Sequence, residues 1–410
     1  KTKAVPKGNG TYEITGQKIF ITSGDHDLTE NIIHLVLART TDAPKGTKGI
    51  SLFLVPKFEV SDDGVVGSRN GVSTNSIESK MGIKGSPTCV LNFENSKGVM
   101  IGPENKGLNS MFTMMNLERI VVGVQGLGIA ETAYQNAVAY SKERKQGKAN
   151  NSKNGETDLI IKHADIRRSL MNMKSIIEGQ RSFAFWLSQQ IDVSLSHDDK
   201  DVRGDASNMV ALLTPVIKSF FTDNGVEITN DAIQVFGGYG YTKDQGIEQL
   251  FRDNRITPIY EGTNSVQAID LVYRKISSEG IFENFIKSMD TEIKNYKNEK
   301  NLESFLNIFE KYKEILVSFT KWMREKIKSN KDDASAACND YLKVLGYTAL
   351  AFAWIKTLKI SFEKQNSNKE FYEDKINTGK YYFEKILPRA QSHYVVGTSG
   401  SHTTMNAKFN

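Results

Sequence analysis

The stretch that decides the fold is residues 107–144, GLNSMFTMMNLERIVVGVQGLGIAETAYQNAVAYSKER. Apolar side chains recur in it every three or four residues, as at Leu108, Met111 and Met115. That period is typical of one face of an α-helix, whereas strands alternate every second residue. The spacing therefore predicts one long helix that continues to Arg144.

The residues before this helix have the pattern of β-strands. Short segments rich in Val, Ile, Phe and Thr are separated by clusters of Gly, Asp, Asn and Pro, which mark strands and the turns between them. The predicted strands are 11–15, 18–22, 33–38, 50–56 and 88–93, with a turn at Gly16-Gln17. This pattern favours an antiparallel barrel or a pair of packed sheets.

The residues after the long helix predict further helices. A bundle is completed by predicted helices at about 163–195, 202–236, 245–253 and 264–276. The second of these can bend at Pro215. More follow at about 281–296, 302–329, 334–363 and 370–387, and a polar loop is expected at 147–156. The predicted fold class is α+β with several domains. These are a β-barrel-like domain (1–104), a helical bundle (105–278), a C-terminal helical extension (279–396) and a flexible tail (397–410).

Composition narrows the function classes. The chain has 410 residues, a net charge of +5 and interleaved basic and acidic residues, so it lacks the basic stripe of a nucleic-acid-binding protein. Cys89 and Cys338 stand far apart without a metal-binding or redox spacing. Two isolated cysteines suggest a reducing compartment, and we expect a cytoplasmic protein. No apolar run is long enough to predict a membrane span.

The segment 234–264 carries the most informative candidate residues. Gly237 and Gly238 follow a predicted helix and could let a phosphate approach the backbone closely, although a plain glycine C-cap is the stronger interpretation from these residues alone. Glu261 precedes Gly262 and Thr263 just before another helix. Without further information, a glutamate that caps this helix is favoured over a catalytic role.

Five segments, taken together and in order, resemble motifs of the acyl-CoA dehydrogenase family. The resemblance covers residues 1–276, and its specificity comes from the combination. The segments are GQKIFITSG (16–24), MGIKGSPT (81–88), YSKER (140–144), QVFGGYGY (234–241) and IYEGTN (259–264).

The resemblance implies a role for each candidate residue. Glu261 would be the base that removes the α-proton of an acyl-CoA thioester, and its backbone N–H, with a flavin ribityl hydroxyl, would polarise the thioester carbonyl. The implied cofactor is FAD, and no metal is implied. The residues implied to bind FAD are Phe20, Thr22, Arg144, Gln234, Gly237, Gly238 and Thr263; those implied to border the substrate are Glu118, Arg119, Tyr260 and Gly262.

Several alternatives stay open at this point. In a minority of the family the base comes from about the position of Glu118, which here could equally be a helix-face partner of a basic residue. Arg119 is either an arginine near the base or half of a buried ion pair. Lys145-Gln146-Gly147 replaces the usual Phe-Gly after Arg144, which leaves the contact with the adenosine part of FAD open.

The long C-terminal extension, together with the segments DHDLT (25–29) and QGLG (125–128), resembles the branch that includes 3-methylmercaptopropionyl-CoA dehydrogenase. The expected reaction is FAD-dependent α,β-dehydrogenation of a short or medium acyl-CoA, with an electron-transfer flavoprotein as acceptor and a homodimer or homotetramer as the assembly. The resemblance is to a member that lacks the family's N-terminal helical domain, which would be a truncated gene product, an incomplete fragment or one half of a split enzyme. Rival hypotheses are an acyl-CoA oxidase that uses O2, and a non-catalytic CoA-binding or assembly protein.

Overall fold

The computed structural model describes residues 2–150 and 157–409. By internal contacts the chain divides into two compact units, Lys1–Glu118 and Arg119–Asn410, and each is described by itself. The boundaries of the four domains expected from the sequence stay predictions. Residues 151–156 of the expected loop 147–156, and Asn410 of the expected tail, lie outside the described residues.

The first unit is built on an antiparallel sheet. Its strands are β1 (Lys3–Pro6), β2 (Thr11–Thr22), β3 (Ile33–Ala38), β4 (Ser51–Pro56), β5 (Phe58–Val60), β6 (Val66–Arg69), β7 (Val72–Ile77) and β8 (Thr88–Ile101). Their order is β1-β2-β8-β4-β3, with β7 also paired to β8 and β5 paired to β6. A parallel bridge between Lys3 and Arg39 joins the two ends of the sheet. The predicted barrel-like fold is confirmed.

The turn predicted at Gly16-Gln17 is wrong, because β2 runs without interruption from Thr11 to Thr22. Its pairing with β8 instead shifts register between Ile14 and Gly16. Gly16 has a φ of 148°, and a Cβ there would lie 2.7 Å from the Cα of Thr2. The glycine therefore marks a β-bulge where another strand approaches closely, a use of glycine that resembles a turn in sequence.

The second unit is helical. Its helices are the remainder of α1 (Gly107–Glu143), then α2 (Ala164–Ser196), α3 (Lys200–Phe236), α4 (Gly238–Tyr241), α5 (Ile247–Asn254), α6 (Asn264–Asp270), α7 (Ile281–Lys294), α8 (Glu303–Ser329), α9 (Lys331–Lys364), α10 (Lys369–Tyr381), α11 (Arg389–Thr398) and α12 (His402–Met405). α6 and α10 continue as π-helical turns at Leu271–Ile276 and Tyr382–Ile386. All the long helices predicted from the sequence are confirmed, and α3 continues through Pro215.

Helix α9 joins the extension to the bundle. It packs against α2, α3, α6, α8, α10 and α11. A Cβ on Gly346 of α9 would lie 2.5 Å from the ring of Phe220 on α3, and one on Gly179 of α2 would lie 2.7 Å from Trp354 of α9. Small residues thus let these helices approach closely, and a single apolar core extends through both helical regions.

The last residues of the chain are attached to this core. Ser401 is buried, and its N–H and hydroxyl both donate to Asp333 of α9 at 2.8 Å. α12 follows directly. Within the described part of the chain, no helix is long and apolar enough to cross a membrane.

Candidate active site

Glu261 lies in the loop between α5 and α6, residues 255–263, which we call the Glu261 loop. The loop begins with a turn in which the Thr257 hydroxyl donates to the carbonyl oxygen of Asn254 at 2.8 Å. It ends at Thr263, whose hydroxyl accepts the N–H of Val266 at 3.4 Å and so caps α6. A 3.0 Å bond from Asn264 N–H to Pro258 O ties its two ends together.

The backbone of Glu261 has an unusual conformation. Its φ is +55°, and Gly262 follows with +82°. A non-glycine residue in this left-handed region costs about 1–2 kcal/mol, so it persists only where its surroundings fix it, often at functional sites. Here the Gln267 side-chain amide donates to the carbonyl oxygen of Glu261 at 3.0 Å. Glu261 itself is half-buried.

A lysine that the sequence analysis did not identify lies under this loop. Lys218 of α3 is fully buried, and its ammonium donates to Gly262 O at 2.8 Å and to Asn264 Oδ1 at 2.9 Å. Burial lowers its pKa to about 8, against the opposing effects of Asp223 and Glu261. The sequence did contain a signal, since Lys218 is the only charged residue in the apolar run Val210–Phe221.

Asn264 connects the lysine to the rest of α3. Its side-chain N–H groups donate to Asp223 Oδ1 at 2.7 Å and to the Thr222 hydroxyl at 3.0 Å, while its oxygen accepts from Lys218. Burial raises the pKa of Asp223, and the bond from Asn264 opposes that rise. The first residue of α6 is therefore fixed to two turns of α3.

Arg119 forms a buried ion pair. Its Nη1 lies 4.0 Å from Asp270 Oδ2, and both side chains are 7% exposed or less. Burial lowers the pKa of Arg119, while the charges of Asp270 and Glu261 oppose that effect. The charge of Glu261 thus acts on two buried cations, Arg119 and Lys218.

The other candidates near the base lie as follows. The hydroxyl of Tyr260 donates to Gln125 Oε1 on α1. Gly262 is half-buried, and a Cβ there would meet the Gln267 amide nitrogen at 2.8 Å. Glu118 is an exposed residue of α1 at the end of the first unit.

The candidates at the end of α3 are exposed and lie near Arg144. Gln234, Gly237 and Gly238 face solvent. Gly237 N–H donates to Gln234 O at 3.1 Å, as expected for a C-cap, yet a Cβ on either glycine would meet nothing within 4 Å. The Arg144 guanidinium carbon lies 5.7 Å from the ring centre of Tyr239. This end of the helix is therefore both capped and open to a ligand.

In the first unit, two of the resembling segments meet at one end of the sheet. Ser23 N–H donates to Pro87 O at 2.8 Å, which brings the segment 16–24 against the segment 81–88. Phe20 is 68% exposed with a φ of 59°, and Thr22 beside it is exposed as well. The unit thus presents an aromatic ring and a hydroxyl together. In neither described range of residues is there a cluster of His, Cys, Asp or Glu suited to a metal ion.

Family models match most of the chain. The acyl-CoA dehydrogenase middle domain matches residues 1–96, the acyl-CoA dehydrogenase C-terminal domain matches 105–276, and the model named acetyl-CoA dehydrogenase C-terminal like matches 285–408. The chain belongs to the acyl-CoA dehydrogenase family. The extension α7–α12 therefore has its own counterpart within acyl-CoA dehydrogenases, separate from the part that carries Glu261.

Individual acyl-CoA dehydrogenases match over different lengths. The 3-methylmercaptopropionyl-CoA dehydrogenase of Ruegeria pomeroyi is 44% identical over 277 residues, which are 68% of this chain and 47% of that protein. A butyryl-CoA dehydrogenase of Syntrophomonas wolfei is 35% identical over 405 residues, 94% of this chain and 66% of that protein. The chain spans about half the length of the first of these relatives.

A solved structure shares the fold. The acyl-CoA dehydrogenase of Bacillus anthracis, solved with FAD, superimposes with a TM-score of 0.76 at 20% identity, over 99% of this chain and 67% of that one. At this identity the match supports the α+β architecture of an acyl-CoA dehydrogenase and nothing finer.

Proposed function

We propose that this chain forms the FAD-binding and catalytic part of an acyl-CoA dehydrogenase, in which Glu261 removes the α-proton of a CoA thioester. The observation that carries the proposal is the conformation of Glu261. Its carboxylate stands on a left-handed backbone that Gln267 and Lys218 hold. A glutamate needed only to cap α6 would not require this arrangement, because Thr263 already provides the cap.

The residues assigned to FAD fit such a group in each unit. Open space at Gly237 and Gly238 lets a diphosphate approach backbone N–H groups, and Arg144 adds a positive charge beside Tyr239 of the same segment. In the first unit, the exposed ring of Phe20 offers apolar surface to a flat ring system, and the Thr22 hydroxyl can bond its polar edge. Gln234 and Thr263 are exposed and available to the same group.

The chemistry divides between the protein and the cofactor. FAD, when bound, supplies the acceptor for the β-hydrogen, which leaves as a hydride. Glu261 takes the α-proton, so that the Cα–H electron pair becomes the Cα–Cβ double bond of the enoyl thioester. The Glu261 N–H would donate to the thioester oxygen as negative charge develops there.

The rest of the proposal concerns substrate and partners. We take the substrate to be a short or medium acyl-CoA, with 3-methylthiopropanoyl-CoA as one candidate because of the Ruegeria pomeroyi relative. The proposed electron acceptor is an electron-transfer flavoprotein, and the proposed assembly is a homodimer or homotetramer. Tyr260 and Gly262, which adjoin Glu261, and Arg119 are the proposed borders of the thioester.

The decisive experiment is Glu261→Gln in the purified, FAD-loaded protein. General-base catalysis contributes about 10²–10⁴-fold, so anaerobic bleaching of FAD by an acyl-CoA panel should slow by at least that much while the bound-FAD spectrum stays unchanged. Glu118→Gln is the matched control and should keep its rate. If Glu261→Gln stayed within tenfold of wild type and Glu118→Gln did not, Glu118 would be the base.

Two other outcomes would support the rival functions. Stoichiometric peroxide released under air with a good thioester substrate would identify an oxidase. Protein that is colourless, and does not take up FAD on reconstitution, would favour a non-catalytic CoA-binding or assembly role.

A further inference from the structure

Among the buried cations of the described chain, Lys218 differs in the groups that accept its hydrogen bonds. Removing an ammonium from water is costly unless its hydrogens are satisfied. Lys313, for comparison, is also buried but pairs with the carboxylates of Asp290 and Glu310. For Lys218 the described residues include no carboxylate within 4.0 Å; its two bonds go to a backbone carbonyl and a side-chain amide.

The bond from Lys218 to Gly262 acts on the backbone next to Glu261, together with a bond from Gln267. The carbonyl of Gly262 accepts from Lys218, and the carbonyl of Glu261 accepts from Gln267. Two successive peptide units directly after the proposed base are therefore held from two directions, by α3 and by α6. Asn264, the first residue of α6 directly after the loop, accepts a bond from Lys218 as well.

The loop needs such restraint. Glu261 at a φ of +55° would relax toward negative φ if its surroundings allowed it. The bond from Gln267 alone constrains one carbonyl and leaves the next peptide free to rotate. The bond from Lys218 fixes that second peptide, so together they hold the backbone from which the carboxylate projects.

We propose that Lys218 is a positioning residue, whose buried ammonium fixes the backbone after Glu261 and aims the carboxylate at the α-carbon of the thioester. This inference rests on the proposed function, since it assigns Lys218 to the same reaction. Lys218 touches neither substrate nor cofactor in this scheme and acts only through the Glu261 loop.

Charge gives the inference a second readout. The charged groups that face Lys218 are Asp223 on its own helix, Glu261 on the loop and Arg119 on α1, while Lys343 of α9 acts on it through Asp223. Burial is the largest influence and lowers the pKa of Lys218 to about 8. Above that pH the neutral amine keeps two N–H groups for its two bonds, but it loses the charge that strengthens them, so the rate should fall on the alkaline side.

The test compares Lys218→Met and Lys218→Arg with Lys313→Met as the matched control. Because a displacement of about 1 Å can cost 10²-fold in rate, we expect Lys218→Met to lower kcat by about 10²-fold and to change KM by less than threefold. Lys313→Met should lower stability and leave kcat unchanged. The guanidinium of Lys218→Arg stays protonated to high pH, so the alkaline fall expected for the wild type should be absent in that variant.

Hydrogen exchange provides a readout that does not depend on turnover. Lys218→Met should speed deuterium uptake in residues 255–263. In the control variant, Lys313→Met, uptake in the same residues should stay at the wild-type rate. A kcat within threefold of wild type, or loop exchange that does not change, would refute the positioning role. If neither Lys218 variant folds, the wild type decides, because a kcat that stays flat up to pH 10.5, the ordinary pKa of a lysine, also refutes it. Failure of the proposed function is separate: it would appear as full activity in Glu261→Gln.

Discussion

Replacing Gly262 with alanine tests the geometry of the Glu261 loop directly. The new Cβ would stand 2.8 Å from the Gln267 amide nitrogen, which is too close, so the amide would have to withdraw from the Glu261 carbonyl. The backbone would meanwhile keep a φ of +82° that suits glycine alone. The substitution therefore combines backbone strain with the loss of one defined hydrogen bond.

The size of the effect follows from these two contributions. Alanine in the left-handed region costs about 1–2 kcal/mol, and the lost hydrogen bond costs about 0.5–1.5 kcal/mol net. We expect the loop to lose about 1.5–3.5 kcal/mol of stability against local opening. Because the carboxylate moves with the loop, kcat should fall by about 10²-fold as well.

Gly246 provides a matched control, since it has a φ of +68° and a Cβ there would meet nothing within 4 Å. Native-state hydrogen exchange at Tyr260 and Asn264, whose N–H groups bond to Ile256 and Pro258, reports the local opening free energy. Gly262→Ala should lower it at both amides, and Gly246→Ala should change neither amide nor kcat. If Gly262→Ala and Gly246→Ala changed the local opening free energy and kcat equally, the reasoning would be refuted, because backbone strain alone would then explain the change.

Three further predictions concern stability. Hydrogen bonds from Arg324 lower the pKa of Glu283 to about 2, so the contribution of Glu283 to folding stability is present above about pH 4.5 and lost as pH falls toward 2. In Glu283→Gln the Tm should therefore fall less between pH 4.5 and 2 than in wild type. An equal fall of Tm in the two proteins would contradict this. Lys218 has a folded pKa of about 8, below its ordinary 10.5. Between pH 8 and 10.5 the unfolded chain therefore binds more protons, and the free energy of unfolding should rise with pH. A rise of the same size in Lys218→Met would argue against this. Ser401→Ala removes one of two bonds to Asp333 and should speed proteolysis after residue 400, whereas an unchanged digestion pattern would show that α12 is held by other contacts.

The helical part of the fold could be predicted from the sequence because its signal is local. α1 was expected to run from about Gly107 to Arg144 and is observed as Gly107–Glu143. A long amphipathic pattern decides such elements by itself, and only their ends shift by a residue or two. The same holds for α2, predicted at 163–195 and observed at Ala164–Ser196.

The strands were predicted less completely for a physical reason. β7, with the sequence VSTNSI, is mostly polar and mostly solvent-facing, and only Val72 is buried. Its place in the sheet comes from pairing with β8, a neighbour distant in sequence. β8 itself extends to Ile101, past the predicted end at Phe93, because β2 and β4 pair with its second half. Such pairing stabilises a strand whose own residues indicate little.

The site shows the same division between local and distant information. Glu261 could be proposed from the sequence because the segment IYEGTN is contiguous. Lys218 and Gln267 could not, because their roles depend on which carbonyl each one reaches, and Lys218 is 44 residues away from Gly262. A motif identifies the group that reacts, whereas the groups that aim it are set by packing.

That packing also gives the C-terminal extension a connection to the site. Lys218 lies two residues before Phe220, whose ring packs against Gly346 of α9. The same stretch of α3 is therefore held on one side by the extension and bonds the Glu261 loop on the other. A strained backbone such as that of Glu261 persists only where its surroundings over-determine it, and the packing of α9 on α3 adds to those surroundings. The extension, although separate in sequence from the residues proposed to react, thus packs on the helix that carries Lys218.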